Sequence, residues 1–296
     1  MKLLTLIKDG KQSLGVKIES GIIDLEAALK EVPDDKIATS IMGVIAAGRE
    51  AAAEIEAYIN ELPSKEAFLR DEDEIQWGPC VTHPNKILCV GLNYRKHADE
   101  TKAPYPEVPI IFNKFNNALT GHNCEVAVPN VTERLDYEVE LGVVIGKEAK
   151  NVSKEEALDY VFGYCTANDF SARDLQKRTP QWLIGKTCDG FGPIGPYLVT
   201  ADEVGDPNNL QLKTTVNGEE RQNSNTSDMI FYVDELVSYL SQHMTLTPGD
   251  IILTGTPEGV ILGYPIEERV YLKPGDEVTV EVEKLGALTN KLVEEK

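Results

Sequence analysis

Positive charge is scarce in this sequence. Its 29 Lys and Arg stand against 49 Asp and Glu, for a formal net charge of −20 and a sequence pI of about 4.6. Nucleic acid needs clustered Lys and Arg, so such a surface excludes it as a partner. Anionic membrane is disfavoured for the same reason. Cysteine is sparse too: Cys80, Cys89, Cys124, Cys165 and Cys188 are odd in number and form no Cys-x-x-Cys pair. A disulfide framework and a zinc knuckle are therefore not expected, and the cysteines read as small buried hydrophobes. No stretch approaches the roughly 18 apolar residues of a membrane span. The opening MKLLTLIKDGKQSLG has too short an apolar run for a secretory signal. A reducing cytoplasm is the expected compartment.

Several motifs are missing or fail in context. There is no GxSxG and no HExxH. Gly190-Phe-Gly192-Pro-Ile-Gly195 matches GxGxxG, but Pro193 and Pro196 interrupt it and no helical pattern follows, so it is no dinucleotide loop. Gly185-Lys186-Thr187 resembles the end of a phosphate loop, yet the position that needs the first glycine is Pro180. There is no fixed-period repeat and no βαβ rhythm, which argues against a doubly wound sheet.

What remains is an ordinary globular composition, 42% hydrophobic and 26% charged. Residues 1–75 read as a small N-terminal domain. Short strands LLTLI, LGVKI and GIID are followed by helical LEAALKEV and GREAAAEIEAYINEL, the latter ending at Pro63. Residues 76–296 read as a larger, β-rich domain. Strands are expected at KILCVG, IIFNKF, LDYEVELGVVIG, VFGYCTAND, GDIILTG and GDEVTVEVEKLG, with a hairpin at Asn217-Gly218. Ser153 with Glu156 suggests a capping box for a short helix, and FYVDELVSYLSQH carries helical spacing.

The chemistry concentrates in a few segments. In LDYEVELG, strand alternation puts Asp136, Glu138 and Glu140 on one face and Tyr137, Val139 and Leu141 on the other. Carboxylates sharing a buried face repel unless a proton or cation lies between them. An all-oxygen set suits a hard ion such as Mg²⁺, with Mn²⁺ or Ca²⁺ as other choices, rather than zinc. A third acid is needed, and Asp169 and Asp174 in CTANDFSARD both offer one. In GLNYRKHADE, His97 and Glu100 are three apart and face each other on one helical turn, a general base with an orienting carboxylate. Lys186 sits in a glycine-rich apolar setting where it can answer an anionic substrate. Thr254-Gly255-Thr256-Pro257 reads as a tight loop offering hydroxyl and backbone donors. If the substrate is an anion, these groups and a metal must supply the positive charge that the rest of the chain lacks.

Together VGLNYRKHADE, LDYEVELGVVIGK, FGYCTANDFSARDLQ, GKTCDGFGPIGP and GDIILTGTPEGV resemble the fumarylacetoacetate hydrolase family, over roughly residues 85–260. The resemblance implies an α+β, β-rich fold: a mixed β-sandwich roll of the fumarylacetoacetase C-terminal type, with a small N-terminal α/β appendage. It also implies a homodimer. By that resemblance Glu138, Glu140 and Asp169 are metal ligands, which selects Asp169 over Asp174. His97 and Glu100 become a catalytic dyad on a short lid helix, Lys186 lies near metal and substrate, and Gln176 and Thr256 contact substrate. Leu92 departs from the arginine that family members hydrolysing small acylpyruvates often carry there. The expected activity is metal-dependent hydrolysis of a C–C bond in a small anionic 2-oxo acid. The metal would stabilise the enolate and the dyad would activate water. Decarboxylation or isomerisation of an oxaloacetate-type acid, urea removal from ureidoglycolate, and non-catalytic metal binding are the alternatives.

Overall fold

The computed structural model describes all 296 residues. Its first elements follow from local chemistry. Strands Lys2–Lys8 and Lys11–Ile18 pair antiparallel around Asp9-Gly10, whose positive φ values of 49° and 73° match a tight hairpin turn. The same logic operates at Asn217-Gly218, where φ is 52° and 82° between strands Gln211–Val216 and Glu219–Asn225.

The N-terminal hairpin does not stand apart. Lys2 pairs with Val199 and Leu3 with Leu198, so it continues a large sheet. From the N-terminal edge that sheet runs Leu69–Arg70, Gly21–Asp24, Lys11–Ile18, Lys2–Lys8 and Gly192–Thr200. It goes on through Val161–Asn168, Val139–Ile145, Ile251–Leu253, Ile87–Gly91 and Ile110–Lys114. A second sheet is ordered Glu219–Asn225, Gln211–Val216, Glu277–Val282, Gly286–Glu294 and Glu125–Val128.

The two sheets close on an apolar core in which Leu141, Val143, Tyr164 and Val199 meet Val278, Val280 and Leu288. The other face of the large sheet, with Val144, Phe162, Cys165 and Leu253, packs against Ala28, Ile45 and Ile55 of the N-terminal helices. The mixed, β-rich α+β architecture matches the expectation. No helix is long and apolar enough to cross a membrane.

Three local expectations are revised. Helix Ile41–Ala47 was not foreseen. IMGVIAA is too short and too uniformly apolar to show a period, and Ser40 starts it by accepting from Gly43 N–H at 3.1 Å. The Ser153 capping box does not form. Its hydroxyl donates to the Glu156 carboxylate at 2.8 Å, and only a single 3₁₀ turn, Ala157–Tyr160, follows. LDYEVELGVVIG is not one strand but Leu135–Asp136 and Val139–Ile145, separated at Tyr137–Glu138. Side chains replace the ladder at the break: Glu138 N–H donates to Asn168 Oδ1 and Val139 N–H to Gln222 Oε1, each at 3.0 Å.

Candidate active site

Four adjacent strands of the large sheet bring their ends to one place. Val139–Ile145 runs antiparallel to Val161–Asn168 and to Ile251–Leu253, and the latter is parallel to Ile87–Gly91. The start of the first strand therefore lies beside the C-terminal ends of the other three. This gathers Glu140, Asp169, the Thr254–Thr256 loop and the Leu92–Asn93 turn. Gly255, with φ of 97°, lets the two loops touch: a Cβ there would lie 2.9 Å from Asn93 Cβ. Its N–H donates to Glu140 Oε2 at 2.8 Å. Asn93 ties the turn down through the carbonyls of Phe231 and Thr254, at 3.0 and 2.7 Å.

Glu138, Glu140 and Asp169 are all buried, with carboxylate oxygens within 4.8 Å of one another. Asp174 is elsewhere, bonded to Thr132 and to the N–H groups of Glu133 and Leu175. Three cations surround the acids. Arg173 donates to Asp136 at 2.8 Å and to Glu138 at 2.7 Å, and Lys186 to Glu138 at 2.6 Å and Asp169 at 2.8 Å. Lys114 Nζ lies 2.5 Å from Asp169 Oδ1. Its protons, however, go to the carbonyls of Phe170, Lys186 and Phe191, and Asp169 Oδ1 receives no hydrogen bond.

The electrostatics separate the two glutamates. Burial alone would raise Glu138, but Arg173 and Lys186 outweigh it and hold the carboxyl below its usual range. Glu140 has no cation on it. Burial, then Asp169 and Glu138 beside it, push its carboxyl well above the ordinary value. Burial would lower Lys186, but Asp169 and Glu138 outweigh it and raise it. Counted as ionised, the four acids Asp136, Glu138, Glu140 and Asp169 exceed these three cations by one charge in a dry site. Asp169 Oδ1 meets the Lys114 charge but no hydrogen bond, and the Glu140 carboxyl is buried with no cation on it, which is costly. A divalent cation with oxygen ligands suits both and turns the local balance positive.

The dyad is assembled on helix Arg95–Thr101, which follows the Asn93 turn directly. Arg95 holds the helix to the Asp228 and Met229 carbonyls, and Asp228 accepts from Lys96 N–H at 3.0 Å. His97 Nδ1 lies 2.7 Å from Glu100 Oε1, and Glu100 Oε2 accepts from Gly259 N–H at 3.0 Å. A carboxylate can only accept, so Nδ1 carries a proton toward Glu100 and Nε2 is the ring nitrogen left to exchange one.

A cavity of about 210 Å³ joins these parts. Its wall contains His97, Glu138, Glu140, Gln176, Lys186 and Thr256, while Asp169 and Glu100 stand behind Lys186 and His97. Gln176 Oε1 accepts from Arg173 at 3.1 Å, which leaves its amide N–H groups free to donate. Thr256 Oγ1 accepts from Gln222 at 2.9 Å. Trp182 closes one side against Gly91, where a Cβ would come within 2.5 Å of the indole.

Arg173, Gln222, Lys114 and Trp182 were not expected here. Asp136, an acid on the face of Glu138, was a signal that a buried cation should exist, but nothing local singled out Arg173. Gln222 lies in the polar run EERQNSN and left no signal.

A β-rich sandwich carrying a buried carboxylate trio beside a His–Glu pair defines the class of protein. The chain belongs to the fumarylacetoacetate hydrolase family: the family model described as fumarylacetoacetate (FAA) hydrolase C-terminal matches residues 86–293. The mitochondrial oxaloacetate tautomerase FAHD2A of Bos taurus is 43% identical, over 92% of this chain and 84% of its own. A fumarylacetoacetate hydrolase structure from Exiguobacterium antarcticum superposes with a TM-score of 0.82 at 33% identity, covering all of both chains. Fumarylpyruvate hydrolase from Pseudomonas aeruginosa, solved with Mn²⁺ and pyruvate, gives 0.66 at 36% identity over 74% of this chain and 92% of its own.

Proposed function

We propose that this chain is a divalent-metal-dependent isomerase that interconverts the keto and enol forms of a small 2-oxo dicarboxylic acid of the oxaloacetate type. One observation carries the reading: His97, bonded to Glu100 through Nδ1, lines a 210 Å³ cavity together with Glu138 and Glu140. That volume is below the ~300 Å³ at which drug-sized sites begin, so the substrate is small. The name of the Bos taurus relative supports isomerisation over the hydrolysis expected from the sequence, and the Pseudomonas aeruginosa complex supports a divalent ion.

Glu138, Glu140 and Asp169 would hold the ion, Mg²⁺ or Mn²⁺. When bound, it supplies positive charge that draws electrons from the 2-oxo acid end. His97 takes a proton from C3 through Nε2, and the C–H electron pair becomes the C2–C3 double bond. The oxygen at C2 takes up the negative charge and then the proton that His97 returns. One proton moves from carbon to oxygen, and no water is consumed. Glu100 keeps the imidazole aimed and stabilises it while protonated. Gln176 and Thr256 hold the substrate, and Lys186 adds positive charge beside it. Residues 76–296 carry the chemistry, residues 1–75 form the appendage, and a homodimer completes the reading.

The test is to add enol-oxaloacetate to the protein with Mg²⁺ or Mn²⁺ and follow loss of the enol absorbance. Accelerated ketonisation without release of pyruvate is expected, and His97→Gln should suppress it. Pyruvate released in proportion to substrate lost, from oxaloacetate or an acylpyruvate, would instead identify a decarboxylase or hydrolase.

A further inference from the structure

Four basic side chains line the cavity, and three are already committed. His97 is bonded to Glu100, Arg173 to Asp136 and Glu138, and Lys186 to Glu138 and Asp169. The fourth, Lys177, has no carboxylate within 4.0 Å. It follows Gln176, closes the helical turn Arg173–Gln176 and reaches the solvent-facing side of the cavity. An adjoining cavity of about 440 Å³ shares Thr101, Lys177 and Leu262 with the inner one. Lys102 and Arg269 also line it, and neither has a carboxylate within 4.0 Å. Glu100 lines it as well, but its carboxylate is taken up by His97 and the Gly259 N–H. In a chain of net charge −20, Lys102, Lys177 and Arg269 thus give this mouth an excess of unpaired positive charge.

The geometry points to Lys177 as the residue that receives the distal carboxylate of the substrate and selects dicarboxylic over monocarboxylic 2-oxo acids. The inner groups can serve the 2-oxo acid end only. Arg173 and Lys186 are already paired with buried carboxylates, and the positive charge that the ion brings is spent on that end. Lys177 is uncommitted, follows Gln176, which is assigned to hold the substrate, and lines both cavities. Solvent reaches its ammonium, so a dianion can bind without the desolvation cost of a buried pair. Burial, followed by the repulsion of Arg173, Arg269 and Arg134, lowers its pKa, and a bound carboxylate relieves that repulsion. Lys102 and Arg269 extend the attraction outward and draw dianions toward the mouth.

The assignment deepens the isomerase reading and rests on it for the identity of the substrate. Its test does not need turnover. Calorimetric titration with Mg²⁺ present compares (S)-malate with (S)-2-hydroxybutyrate, stable acids that differ in carrying a distal carboxylate or a methyl group. The wild type is expected to prefer malate. Lys177→Gln should reduce that preference by about fivefold, the scale of one partly exposed charge-assisted contact. Lys177→Arg should restore it. A preference unchanged by Lys177→Gln, equal weakening of both acids, or no preference in the wild type overturns the assignment. Preference that depends on Lys177 in a protein that fails to ketonise enol-oxaloacetate leaves the assignment standing and removes the isomerase reading.

Discussion

The two ends of strand Val139–Ile145 obey different rules. At its far end Val143 and Ile145 pack between the sheets and Val144 packs on the opposite face, so burial stabilises them directly. At its near end Glu140 is buried just as deeply but has one backbone N–H and no cation. Neighbouring residues of one strand thus serve opposite purposes: the far end holds the fold, and the near end is held by it. The site is a place where folding free energy is withheld so that a ligand can supply it.

The comparison breaks most sharply at Glu140. Glu140→Gln should abolish metal binding by calorimetry and cut ketonisation by three to four orders of magnitude, since a bound ion is worth several kcal/mol to developing charge. The metal-free unfolding midpoint should not fall, because a carboxyl already raised by burial and by Asp169 and Glu138 loses nothing on becoming neutral. A large drop in metal-free stability would show that the near end is structural after all.

His97→Gln should lower ketonisation by about a thousandfold while leaving metal affinity within a few-fold. Loss of metal binding in that variant would place the histidine among the ligands. At the far end, Ile145→Ala should cost about 3 kcal/mol in denaturant unfolding. The activity of the folded fraction should remain, because Ile145 lies a strand's length from the cavity.

The smallest effect concerns the acid that stays outside the site. Burial would raise Asp174, but hydrogen bonds from Thr132 and the Glu133 and Leu175 N–H groups outweigh it and lower its pKa below the usual 3.8. A carboxyl lowered in the folded state stabilises above its unfolded pKa, and that stabilisation is lost as pH falls through the folded value. Asp174→Asn should therefore cost no more than about 1 kcal/mol at neutral pH, given solvent screening. The difference from wild type should disappear in strong acid, and a difference that grows toward low pH would contradict this account.

Much of the molecule was legible before any fold was known. The hairpin at Asn217-Gly218, the clustered acids of LDYEVELG and the three-residue spacing of His97 and Glu100 are all local. Each is encoded within a few residues, by pleat, helical pitch or turn chemistry. The same locality explains the failures at Ser153 and at Tyr137–Glu138. There, side chains distant in sequence or acting on each other outcompeted the regular backbone pattern.

Sequence alone therefore settled the family, the β-rich class and the identity of the acidic and basic groups to watch. Tertiary structure decided how closely the trio gathers, which cations are consumed and which stays free. Asp136 meets Arg173 across 37 positions, Glu138 meets Lys186 across 48, and Val139 meets Gln222 across 83. Charge compensation in a dry interior depends on distances in space, and no periodicity along the chain records them.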